Sequence, residues 1–70
     1  MWFNGDETDV QQLFENASSV RLNAVFGYSK TIIIDEAQRI GNIGSSLKLI
    51  TDELKEIQVV ATGSSGDRLY

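Results

Sequence analysis

Cysteine, histidine and proline are absent from this 70-residue chain. Without cysteine there is no disulfide and no thiolate. Without histidine there is no imidazole for a serine or cysteine triad, and none of the common zinc sites. Any chemistry falls to carboxylates, hydroxyls, amides, lysine and arginine. Basic residues are few as well: six Lys and Arg stand against ten Asp and Glu, a formal net charge of −4, and the six are scattered. Phosphate-backbone recognition requires clustered positive charge, so the composition carries no nucleic-acid footprint. Apolar runs are only a few residues long, far below the ~20 of a membrane-crossing helix, and the first residues lack the basic-then-apolar order of a secretory signal. No membrane partner is expected, and a cytoplasmic setting is the default. A chain this short makes at most one small domain, near the size at which a single hydrophobic core only just offsets chain entropy.

What is present is ordered. Met1 to Asn4 reads as a short strand leaving into a turn at Gly5-Asp6-Glu7. Thr8-Asp9-Val10-Gln11 has capping-box spacing, so a helix is expected to open at Thr8 with Val10, Leu13 and Phe14 on its buried face. A second helix is expected after the interruption at Asn16 to Ser19, with Ala17, Val20, Ala24 and Val25 facing inward and Gly27 as terminator. Thr31 to Ile34 is a β-branched run without polar alternation, the pattern of a central parallel strand covered on both faces. A helical turn from Ala37 to Ile40 and a loop from Gly41 to Gly44 follow. Ser45 or Ser46 then caps a helix that shows Leu47, Ile50 and Leu54 on one face. Ile57 to Ala61 is the last strand and runs into the hydroxyl-rich segment Thr62-Gly63-Ser64-Ser65-Gly66. The order βααβαβ predicts an α/β fold: a three-stranded parallel sheet with flanking helices, its strand ends bringing Asp6, Asp35 and Thr62 to one edge.

Chemistry concentrates at those strand ends. Asp35 and Glu36 follow the buried run, where acids are costly inside a strand but useful at its mouth, the place where open α/β sheets bind ligands. One carboxylate there can hold Mg²⁺, usually through water, while the next activates the attacking water; this is the form of a Walker B motif. The competing structural reading is an acid pair capping the helical turn that follows. A second polar loop at the end of the next strand favours the functional reading. In that loop Thr62, Ser64 or Ser65 can hydrogen-bond a phosphate or the water, and Thr62 can orient Glu36; a flexible Gly/Ser turn is the alternative. Arg39 either reaches a neighbouring subunit's phosphate or, as the residues favour, pairs with Glu36 or Asp6. Gln38 is expected to hydrogen-bond backbone near the loop. Gly41 to Lys48 is not a phosphate loop, because its lysine falls inside an amphipathic helix and no strand precedes its glycines.

From Asn4 to Ser65 the sequence resembles part of the AAA+ core of a group of prokaryotic ATPases. The likeness is carried by Asn4-Gly5-Asp6-Glu7, by Thr31 to Ile40, by Leu47 to Glu53 and by Ala61 to Ser65. It implies an ASCE-type P-loop NTPase sheet with the Walker B strand between the first and third strands. It also implies Mg²⁺ at Asp35, water activation by Glu36, a sensor 1 role for Thr62 or Ser64, and ATP and Mg²⁺ as cofactors of a parent protein. No stretch can serve as Walker A, so no residue here is assigned to nucleotide phosphate binding. The chain is therefore expected to be an internal fragment unable to hydrolyse ATP alone. Two alternatives remain: motif II of a superfamily 2 helicase, which Asp35-Glu36-Ala37-Gln38 resembles, and a non-catalytic α/β interaction module. Self-association through an exposed sheet edge at Val59 and Ala61 is a further expectation.

Overall fold

The computed structural model describes residues 1–63 and 68–70. The elements run β1 (Trp2–Asn4), α1 (Thr8–Glu15), α2 (Ser19–Phe26), β2 (Thr31–Asp35), a single 3₁₀ turn (Ala37–Arg39), α3 (Ile43–Glu53) and β3 (Gln58–Ala61). The three strands form a parallel sheet in the order β1-β2-β3, so the acid-bearing strand is central. No helix among the described residues is long and apolar enough to cross a membrane.

Coverage of β2 departs from expectation. Ile32 and Ile34 are fully buried, but Ile33 is only half-buried and Thr31 is exposed. Both crossovers step in the same direction across the sheet, and right-handed crossovers of that kind bring their helices to the same face. On this face Phe3, Phe14 and Phe26 form an aromatic cluster with centroids 5.4 to 6.4 Å apart, joining β1 to α1 and α2. Leu22, Ile32, Ile34, Leu47, Ile50 and Val59 extend the core, and Ala37, Ile40 and Ala61 close it near the carboxyl ends of the strands. Register places Trp2, Ile33 and Val60 together on the opposite face, where Trp2 is 62 % exposed. Within these 70 residues the helices cover β2 from one face.

The helix register and caps also need correction. In α2 the buried residues are Leu22 and Phe26, whereas Val20 and Val25 are 81 % and 40 % exposed and Ala24 is exposed too. Leu22 and Phe26 are the larger i, i+4 pair, and their burial overrides the weaker valine and alanine pattern. Ser18 caps this helix, accepting from the Arg21 N–H at 3.2 Å, and Gly27 ends it at φ 58°. Thr8 makes no capping box: Glu7 holds the N-cap position without a side-chain cap, and Gln11 Nε2 instead donates to the Gly5 carbonyl at 2.8 Å. Helix α3 starts at Ile43, inside the expected loop, with Asn42 in the left-handed region at φ 58°. Neither serine caps it. Ser46 is buried, and its hydroxyl donates to the Phe14 carbonyl, which satisfies an acceptor in the last turn of α1 and fastens the two helices together.

The outer edge of β3 is partly occupied. Residues 68–70 run back against it, with Leu69 and Tyr70 N–H donating to the Ala61 carbonyl and Ala61 N–H donating to Tyr70. Of the edge expected at Val59 and Ala61, only the Val59 end remains uncovered by this segment. The α2 orientation has a direct check by chemical denaturation. Leu22→Ala is expected to cost about 2–5 kcal/mol and Val20→Ser less than about 0.5 kcal/mol; similar costs would contradict the observed face.

Candidate functional site

Parallel pairing brings the ends of all three strands level. Asn4 is in register with Asp35, and Ile34 with Ala61, so the residues just beyond each strand, Gly5, Glu36 and Thr62, converge at one mouth. Backbone bonds lock them: Gly5 N–H donates to the Asp35 carbonyl at 2.7 Å, Thr62 N–H to Ile34 at 2.9 Å, and Ala37 N–H to Thr62 at 2.9 Å. Gly5 approaches so closely that a Cβ built on it would lie 2.1 Å from the Glu36 carbonyl oxygen. Only glycine fits there, a demand that its place in a turn segment does not reveal.

Asp35 is half-buried, and its two oxygens have different surroundings. Oδ1 accepts from the Thr62 hydroxyl at 2.8 Å and from the Glu36 N–H at 3.0 Å. Oδ2 has no partner among the described residues. One oxygen is thus anchored while the other is free to face a ligand. Thr62 holds Asp35 rather than orienting Glu36, and its single proton is committed to that bond. Ser64 lies outside the described residues.

Glu36 adopts φ 53°, ψ 41°, the left-handed region, which costs a non-glycine residue roughly 1–2 kcal/mol. Such conformations persist where surrounding structure over-determines them, and they concentrate at functional sites. Here the Ala37 N–H to Thr62 bond and the burial of Ala37 and Ile40 pin the turn on its far side. The Glu36 carboxylate accepts from Gln38 Nε2 at 2.8 Å, a side-chain contact that sequence reading did not anticipate. The Glu-x-Gln spacing across a tight turn is the signal that would have suggested it. Arg39 pairs with Asp6 at 3.3 Å; both side chains are more than half exposed, so this pair contributes little stability.

Among the described residues no three carboxylates, or other metal-binding groups, gather around one point. Asp35 alone cannot cage a cation. The donor set fits Mg²⁺ nonetheless, because this ion keeps its waters and commonly takes one or two carboxylates plus substrate phosphates. A surface concavity lined by Gly27, Tyr28, Lys30 and Leu54 lies where β2 and β3 begin, at the other end of the sheet.

A parallel α/β sheet with an acid pair at the mouth of its central strand and a hydroxyl on the next strand bonded to the first acid is the build of a P-loop NTPase-like domain. The chain belongs to the AAA domain family, whose model matches residues 1–70. No curated protein and no solved structure gives a significant match. Membership sets aside the superfamily 2 helicase alternative.

Two substitutions probe this mouth. Gly5→Ala is expected to destabilise by about 1–3 kcal/mol or more through the clash with Glu36; an unchanged denaturation midpoint would refute the close approach. Thr62→Val is expected to cost about 1–2 kcal/mol and Thr62→Ser distinctly less, since serine keeps the donor to Asp35. Equal losses would show that the hydroxyl is not what matters.

Proposed function

We propose that these 70 residues supply the magnesium and water-handling half of an ATPase site, the phosphate-binding loop coming from outside them. One observation carries the reading. In this AAA domain the acid that ends the central strand, Asp35, has one oxygen fixed by the Thr62 hydroxyl and by the Glu36 N–H, while the other has no partner among the described residues.

In this reading Asp35 would hold Mg²⁺ through the ion's waters, and the Thr62 hydroxyl keeps the carboxylate from rotating away. When bound, the ion would neutralise charge on the transferring phosphoryl group. Glu36 accepts a proton from the attacking water at the carboxylate that Gln38 holds. Ser64 is the remaining candidate for sensing the terminal phosphate, because the Thr62 proton already serves Asp35. The P-loop amides and lysine provide most of the grip on nucleotide phosphates, and no stretch of this sequence has the Gly-x-x-x-x-Gly-Lys-Ser/Thr pattern that would provide them. ATP binding by the 70 residues alone is therefore weak, and hydrolysis absent.

The test is a steady-state ATPase assay on the isolated chain and on the intact protein that joins it to a phosphate loop. The chain alone should show no turnover. In the intact protein Glu36→Gln should lower kcat about 10²- to 10⁴-fold while ATP binding persists, and Asp35→Asn should weaken the response to Mg²⁺. Turnover by the isolated chain that vanishes with Glu36→Gln, or full turnover by the intact Glu36→Gln protein, would overturn the proposal.

A further inference from the structure

We infer that Gln38 is a positioning residue for Glu36, holding the carboxylate in the pose from which it takes a proton; this rests on the reading of Glu36 as the water-activating base. The Glu36 backbone is fixed by its left-handed conformation and by the bonds around it, but the side chain has three rotatable bonds and reaches a half-exposed surface. Gln38 Nε2, 2.8 Å from Oε2, is the contact that restrains it. Oε1 has no partner among the described residues and is available to a water.

Gln38 is itself well placed to act as a fixed donor. The turn that carries it is closed by Arg39 N–H to Glu36 and Ile40 N–H to Ala37, each at 3.0 Å. Ala37 and Ile40, on either side, are 1 % and 2 % exposed, so the backbone between them is nailed to the core. The other end of the amide reaches toward the exit of β3: a Cβ on Gly63 would stand 3.6 Å from Gln38 Oε1. The amide therefore spans from the base to the start of the hydroxyl-rich loop.

Two measurements decide the matter. In the 70-residue chain, Glu36→Ala should shift the Gln38 side-chain amide resonance and speed its hydrogen exchange; identical spectra would overturn the contact. In the intact ATPase, Gln38→Leu should lower kcat roughly ten- to a hundredfold with KM for ATP within about twofold, the pattern of a misplaced catalytic group. Added to Glu36→Gln, the same substitution should cost nothing further, because it acts through a base that is already gone. Unchanged kcat, or an additive loss in the double variant, would overturn the positioning role. If Glu36→Gln alone leaves turnover intact, the catalytic reading of Glu36 falls and the Gln38 role with it, while the spectra still decide the contact. Gln38 is exposed, so an unaltered denaturation midpoint for Gln38→Leu separates lost positioning from lost folding.

Discussion

The parallel register of β2 with both neighbours is the constraint on which the rest of the structure depends. It sets Asn4 level with Asp35 and Ile34 level with Ala61, so each strand leaves the sheet at the same height. Every polar feature of the mouth follows. Gly5 closes against the Glu36 carbonyl, Thr62 reaches Asp35, and the Ala37 N–H finds Thr62. A shift of one residue in either pairing would turn Asp35 or Thr62 to the other face and leave the carboxylate without its hydroxyl partner. The buried isoleucines at 32 and 34 help hold that register, because a one-residue slip would turn them off the core face.

The mouth is built in two layers. Backbone bonds and the buried Ala37 and Ile40 fix where Asp35 and Glu36 leave the sheet. Side-chain bonds from Thr62 and Gln38 then fix one oxygen of each carboxylate and leave the other without a partner among the described residues. A site organised this way bears its conformational cost in folding, so the acids are in place before a ligand arrives. The left-handed Glu36 is the visible part of that cost.

Much of this was legible in the sequence, and the parts that were not have physical reasons. The strand order, the place of Asp35 and Glu36 and the terminating role of Gly27 follow from β-branched runs, turn residues and crossover handedness, which are local or nearly universal. The buried face of α2 is ambiguous in the sequence because Val20, Ala24 and Val25 match helical spacing as well as Leu22 and Phe26 do; the larger pair wins, with Phe26 joining the aromatic cluster of Phe3 and Phe14. Coverage of β2 on one face depends on which way the crossovers step, not on the strand's own residues. The Thr62 to Asp35 bond joins residues 27 apart in sequence and required the sheet register to be seen. Gly5 looked like any turn glycine until Glu36 was placed beside it.

The proposed role of Asp35, held at Oδ1 by Thr62, is to serve a magnesium ion on a nucleotide through Oδ2. A crystal structure of the intact ATPase with Mg²⁺ and a non-hydrolysable ATP analogue tests this most directly. The expected result is Asp35 Oδ2 turned toward a magnesium-bound water, with the Thr62 hydroxyl still on Oδ1. A metal held by other carboxylates, or Asp35 bonded only to protein with the nucleotide elsewhere, would contradict it.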